Sequence, residues 1–557
     1  MRELGGRSRA LLRETRRVGP LGAVRAVVGT EPCVRCGARR DPYATCPSCG
    51  HAARLRASEW IELLVDRETF EQHLAPVSAD PLAFDLDESY QDQLAEARAR
   101  TELNDAVLTG RARLGGRDVV VAAFDFGFLG GSLGIAAGER IVQALSHAAE
   151  TATPAVLVVA SSGARMQEGL AALFQMVRTS AAAVELRNAR CPFVAVLADP
   201  TTGAPYASVA NLADVVIAES GALIGFAGPR VVEAVTGEPT EGLHAEELLE
   251  KGIVDAAVPR SELRATVSDV VDLLMNPAAL GGPNERKPLP RAKLPTDRWA
   301  LVESIREEAW PSGRAWLEAI SERHFELRGD RTGEDDPALV AAICELRETH
   351  ALVLAQDRTD GDGLIQPAGY RKAQRALKIA ARLGLPVVTL LDGPGAAVGE
   401  DADSEGIAYW LAETFAALLE QPTPVVSLVV GQGSSGGAIA LAAADRLYML
   451  EQSIFTVIAP EGAAAIISRD AAAAPEWAEA LRLAAADAAD LGLVDGVIPE
   501  PRGPRRIARV LRARRARAVI DIALAELRQQ NPADLPASRR ERFLNATRKL
   551  HDLKETA

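Results

Sequence analysis

Two glycine turns and one cysteine cluster carry residue types and spacings that could do chemistry. The richer turn is Gly431-Gln-Gly-Ser-Ser-Gly-Gly-Ala438, which follows the apolar run Val425–Val430. Its Gly431-x-Gly433-x-x-Gly436 matches a dinucleotide fingerprint and has Glu451 twenty positions after Gly431. Asp445 follows Gly436 by only nine positions, which is short for the crossover helix that motif requires. Gly433-x-Ser435-x-Gly437 also matches a nucleophile elbow, but the one histidine that follows, His551, stands in a polar tail. A third reading is an anion-holding turn. Small residues where a strand passes into a helix aim backbone N–H groups at one spot, and the helix dipole adds to their pull on developing negative charge. Gly436-Gly437-Ala438 fits this, as does Ser162-Gly163-Ala164 after the run Val156–Ala160. None of the seven histidines lies in these turns. Amide-only sites suit a reaction whose charge builds on carbonyl oxygens and whose base arrives with the substrate. Glycines kept for tight packing alone would leave the same spacing.

Cys33, Cys36, Cys46 and Cys49 form C-x2-C-x9-C-x2-C, two thiolate pairs with a glycine after each second cysteine. That pattern closes a tetrahedral Zn²⁺ site with no open position, so the metal would be structural. Two disulfides are the rival, disfavoured in a long chain with no signal peptide. Cys191 and Cys344 lie in apolar surroundings and read as inert core residues.

The elements that must position these turns occur twice. Pro154 and Pro192 each precede a strand-like run, as do Pro386 and Pro424, with 38 positions within each pair and 232 between pairs. Gly163 and Gly395 share that offset, while Asp214 and Pro229 answer Asp445 and Pro460 at 231. The period is too long for a solenoid and indicates two copies of one domain. Strand, turn, helix, strand is the order of an α/β fold with parallel strands. Gly281–Pro295, with four prolines, reads as a linker. Arg502–Arg517 holds eight arginines and no acid. Ile507, Val510 and Leu511 share one helical face there, which indicates a surface helix, with an anion-binding patch as the alternative.

The whole chain of 557 residues has 62 basic and 76 acidic side chains, a formal charge of −14, and 48% hydrophobic residues. Disordered and collagen-like classes are excluded, and the acidic balance argues against a dedicated nucleic-acid binder. No apolar run approaches the length of a membrane span. Residues 1–60 carry a local excess of positive charge, read as a solvated basic extension.

These motifs resemble the carboxyltransferase component of bacterial acetyl-CoA carboxylase with its β and α subunits fused in that order. The β-like segments are the cysteine pairs, Phe126-Gly-Phe-Leu-Gly-Gly-Ser132, Ser162-Gly-Ala-Arg-Met-Gln-Glu168 and Ile224-Gly-Phe-Ala-Gly-Pro-Arg230. The α-like ones are Phe325-Glu-Leu-Arg-Gly-Asp330, Gly369-Tyr-Arg-Lys-Ala373, Gly436-Gly-Ala438 and Pro460-Glu-Gly462. The resemblance implies two crotonase-like (ββα-superhelix) carboxyltransferase domains at 53–280 and 299–557, joined by a linker at 281–298. A basic extension (1–29) and a zinc ribbon (30–52) would precede them.

It further implies carboxyl transfer from carboxybiotin, borne by a carrier protein, to acetyl-CoA, giving malonyl-CoA. Amides of Ser162 and Gly163 would hold the thioester oxygen, and those of Gly436 and Gly437 the ureido oxygen of biotin. Ala164 and Ala438 would line the substrate, with Arg165, Arg371 and Lys372 as cations for the CoA phosphates. Ser162 and Ser434 stand where the family has glycine, and neither change removes an amide. No lysine has a methionine neighbour, as a biotin attachment site would, and no ATP-binding loop is evident. The carrier and the biotin carboxylase are therefore expected on other chains, in a cytoplasmic assembly. In the family the active site forms between β-type and α-type domains across a dimer, so at least a homodimer is expected. A biotin-independent crotonase-like hydratase or decarboxylase and a zinc-ribbon nucleic-acid binder are the alternatives.

Overall fold

Proline marks where the parallel strands begin, because a residue without an N–H cannot continue a ladder but its carbonyl can start one. In the computed structural model, Pro154 O accepts from Val120 N and Pro192 O from Ala155 N, both at 2.9 Å. The second copy repeats this, with Pro386 O accepting from Leu352 N at 2.9 Å and Pro424 O from Val387 N at 2.8 Å. The structure describes residues 31–32, 36–40, 48, 53–73, 77–80, 82–86, 88–275, 297–307, 310–347, 349–501 and 505–546. Cys33, Cys46, Cys49 and the proline-rich stretch 281–295 lie outside them. The described residues divide into two compact units, one within 1–250 and 254–272, the other within 251–253 and 273–557.

In the first unit an antiparallel hairpin joins β1 (Val107–Leu114) to β2 (Arg117–Phe124). Helix α1 (Ile135–Glu150) leads to β3 (Ala155–Ser161), and α2 (Gly169–Asn188) leads to β4 (Phe193–Thr202). Then follow β5 (Val215–Glu219), α3 (Pro229–Thr236) and β6 (Ala256–Val258). Strands β2, β3, β4, β5 and β6 pair in that order, all parallel.

The second unit repeats the plan. A hairpin of β7 (Leu339–Leu346) and β8 (Thr349–Gln356) is followed by α4 (Pro367–Leu383), β9 (Val387–Gly393) and α5 (Ile407–Glu420). Next come β10 (Val425–Ser434), α6 (Ser435–Leu441), β11 (Arg446–Leu450), α7 (Pro460–Ala463) and β12 (Gly496–Ile498). Strands β8 to β12 pair in parallel in chain order. Every residue of β3 and of β9 is buried, as expected of parallel strands covered on both faces.

The aspartates that the repeat picked out tie neighbouring strands together. Asp214 takes the Phe193 amide on its carboxylate at 2.8 Å and returns its own amide to Phe193 O at 2.8 Å. Asp445 does the same with Val425, at 2.8 and 2.9 Å. Asp445 is also gripped by the fully buried Arg539 of α9 (Leu535–Asn545), which donates to its carboxylate at 2.9 and 2.6 Å.

The arginine-rich stretch falls in α8 (Arg505–Leu527). Its buried face is Ala513, Ala516, Val519, Ile520, Ala523 and Leu524, and Val510 and Leu511 are exposed. The inward stripe thus starts a turn later than the sequence suggested. Arg512 pairs with Glu500, Arg515 donates to Pro499 O and Arg517 pairs with Glu322. Arg512 and Arg517 are thus paired with carboxylates within the unit, and Arg515 is held by a backbone carbonyl.

Candidate active site

In the first unit β3 shifts register with β4 between Val159 and Ser161, and its last residue, Ser161, pairs again with Thr201 just before the turn. Gly163 then takes φ +127°, a conformation that L side chains avoid. The end of β4 crosses this turn: a Cβ on Gly203 would lie 2.6 Å from Gly163 Cα. The amides can be accounted for one by one. Ser162 N–H donates to Gly130 O at 2.8 Å, and Gly163 N–H to Ser161 Oγ at 3.1 Å. Arg165 N–H donates to Leu133 O at 3.0 Å, and Leu133 N–H to Gly163 O at 2.8 Å. Ala164 N–H has no acceptor among the described residues. Ser162, whose amide was expected to hold a ligand, has therefore spent it on Gly130. Gly163 gives its amide to the buried Ser161 hydroxyl, and Ala164 offers the open donor.

In the second unit the register shift recurs between Leu391 and Gly393, and Gly395 takes φ +132°. Strand β10 ends at Ser434 (φ −135°, ψ 144°), Ser435 turns to φ +63°, and α6 begins. Gly437 packs on the neighbouring turn so closely that a Cβ there would lie 2.3 Å from Ala396 N and 2.5 Å from Gly395 C. Gly436 has more room, its nearest neighbour being Leu411 Cδ2 at 3.3 Å from such a Cβ. Ala438 is buried behind them. The opening N–H groups of a helix lack intrahelical partners, and no side chain caps them here. Each unit thus sets the turn after one parallel strand against the turn after the next. Gly203 and Ser435, both with positive φ, are the crossing residues and stand 232 positions apart. Gly203 and the crossing role of Gly395 were missed from sequence, although the offset could have located both.

The polar ground beneath the two turns differs. Asp392, at the end of β9, is wholly buried. Burial pushes its carboxyl up to about 7 against the pull of Arg358. It accepts from Gln432 N at 3.2 Å. The corresponding first-unit positions, Ala160 and Phe126, are apolar. Gln356, also buried, donates to Gly395 O at 3.3 Å and Gly363 O at 3.1 Å and so fixes the Gly395 turn.

The three cations expected at CoA phosphates face inward instead. Arg165 is fully buried and donates to Asp105 at 2.7 Å, Glu168 at 3.2 Å and Ser132 O at 2.9 Å. Burial works against its charge, and Asp105 and the other acidic neighbours outweigh that, raising its pKa. Lys372 is 1% exposed, with Nζ on Asp335 at 2.6 Å and Asp336 O at 2.7 Å. Arg371 bridges Asp330 at 2.7 Å and Glu334 at 2.6 Å. A guanidinium or ammonium matched to a buried carboxylate is not free to meet a phosphate. Of the four zinc-site cysteines only Cys36 is described, and no cluster of metal-binding side chains occurs among the described residues.

The comparisons with known proteins place this architecture. Residues 293–547 match the family described as acetyl co-enzyme A carboxylase carboxyltransferase-like, and residues 71–275 match the carboxyl transferase domain. A protein of Salinispora tropica named acetyl-coenzyme A carboxylase carboxyl transferase subunits beta/alpha is 45% identical, over 82% of this chain and 84% of its own. One of the same name from Parafrankia sp. is 40% identical over 93% and 92%. Transcarboxylase 12S, solved as a hexamer with methylmalonyl-coenzyme A bound, shares the fold. Its TM-score is 0.68 at 23% identity, over 86% of this chain and 91% of that one.

Proposed function

The chain belongs to the acetyl-CoA carboxylase carboxyl transferase family, and from that premise we propose that it moves a carboxyl group from carboxybiotin to acetyl-CoA. The open Ala164 amide in the first turn and the uncapped opening amides of α6 in the second carry this reading. Carboxybiotin, when bound, supplies the carboxyl group and the nitrogen that takes the acyl proton. The chain's part is to hold two oxygens as they gain charge. Gly163 and Ala164 N–H would take the thioester oxygen, with Ser162 bracing the turn through Gly130. Gly436 and Gly437 N–H would take the ureido oxygen. One such donor is worth about 3 kcal/mol in the transition state. The crotonase-like description of each unit is supported by the repeated hairpin and parallel strands.

The biotin carrier and the biotin carboxylase would be separate chains in a cytoplasmic assembly. No described helix is long and apolar enough to cross a membrane. Cys33, Cys36, Cys46 and Cys49 would hold one structural Zn²⁺, since four thiolates in two close pairs suit that ion. About one zinc per chain, lost on Cys46→Ser, is the expected metal analysis. A homodimer or larger homo-oligomer is supported by apolar residues exposed at matching places in both copies. Met166 and Val398, like Val177 and Tyr409, stand 232 apart; Phe226 and Val457, like Val235 and Ile466, stand 231 apart. Single exposed apolar side chains are ordinary, but a patterned face kept in both copies indicates a covered surface.

The test is the reverse reaction. Malonyl-CoA incubated with the folded chain should yield acetyl-CoA only when biocytin is present. Turnover without any biotin species would favour the hydratase or decarboxylase reading, and no turnover would refute carboxyl transfer.

A further inference from the structure

The turn that opens α6 contains a competitor for its own amides. Ser434 occupies the position before the first helical residue, where a serine ordinarily folds its hydroxyl onto the amide two or three residues on. Here those amides belong to Gly436 and Gly437. Ser434 makes no such bond. Its buried Oγ instead accepts from Gln432 Nε2 at 3.0 Å.

Gln432 is itself tied at every polar atom that could let it drift. Its backbone N–H donates to Asp392 Oδ1 at 3.2 Å, and Asp392 is paired with Arg358. Its Oε1 accepts from Arg306 Nε at 3.4 Å, and Arg306 is held by Glu461 of α7. With the carbonyl end of the amide fixed by Arg306, the NH₂ end can only face Ser434. The corresponding first-unit position is Pro200, which has neither an N–H nor a polar side chain, so the device belongs to the second unit alone.

We infer that Gln432 is a positioning residue that holds the Ser434 hydroxyl away from the Gly436 and Gly437 amides and so keeps them open for the substrate oxygen. The inference rests on the carboxyl-transfer reading and says why a serine can stand in this turn without closing it.

Gln432→Met removes the hold while keeping the volume. The freed hydroxyl then caps the turn, and kcat/KM for biocytin in the reverse reaction falls about fivefold, the weight of one serine cap. The KM for malonyl-CoA stays unchanged. In Gln432→Met/Ser434→Ala no hydroxyl remains to compete, and most of the lost activity returns. A crystal structure of the single variant should show Ser434 Oγ on the Gly436 or Gly437 amide. Full activity in the single variant, or equal loss in single and double variants, overturns the inference. If Gln432→Met does not fold, Arg306→Met at an exposed position takes its place. It should lower the same constant about twofold, and no change there counts against the role. A parent chain without biocytin-dependent turnover defeats the carboxyl-transfer reading instead.

Discussion

Arg165 and its partners form a closed electrostatic unit, with Asp105 at 2.7 Å, Glu168 at 3.2 Å and no exposed side-chain surface on the arginine. Removing one member of such a pair leaves a charge stranded without water. Arg165→Met is therefore expected to cost about 3–5 kcal/mol of stability in chemical denaturation. A CoA-phosphate ligand would behave oppositely, raising KM with stability intact. His73 is a second buried titratable group. Burial, then the neighbouring His147 and Arg111, hold its imidazole down to about 4 from 6.5. Between those values the unfolded chain binds a proton that the folded chain refuses. Its contribution is thus complete above pH 6.5 and is lost as pH falls toward 4, by about 3 kcal/mol at most. His73→Phe should flatten that part of the stability profile; an unchanged slope would assign it to other groups. Cys344, read as inert from its apolar neighbours, is fully buried, and burial pushes its thiol well above the usual range.

The strand ends are where elements become a site. Gly437 must be glycine because a Cβ would enter the backbone of Gly395 and Ala396, which is held in place by its pairing with Leu364 and Ile365. Gly437→Ala is expected to lower the reverse-reaction kcat/KM by at least about a hundredfold, the scale of a lost oxyanion donor. Gly436→Ala meets only the end of Leu411, a side chain that can move, and should lose less than tenfold. Equal losses would show that both act through packing. The sequence announced the strands that carry these turns through their prolines and paired aspartates, since such residues fix where a ladder starts. It did not announce the crossing of Gly203 on Gly163, because nothing local links residues forty positions apart.

For the molecule as a whole, the recurrence of exposed apolar residues in both copies makes the proposed homo-oligomer testable. Val177→Asp together with Tyr409→Asp should dissociate the assembly in sedimentation velocity and abolish activity, while circular dichroism keeps its helical signal. An oligomer that survives both charges would remove these helices from the interface.

The repeat, the parallel α/β order of each unit and the two glycine turns followed from the sequence alone. Proline, glycine and capping aspartate act within one or two residues of where they stand, so their spacing can be read directly. Which amides stay open and which cations are spent was decided by the tertiary structure. Ser162 lost its amide to Gly130, and Arg165, Arg371 and Lys372 are paired with internal carboxylates. A hydrogen bond or ion pair is taken by whichever partner folding brings within about 3 Å, and that partner is set by the packing of distant segments rather than by any motif.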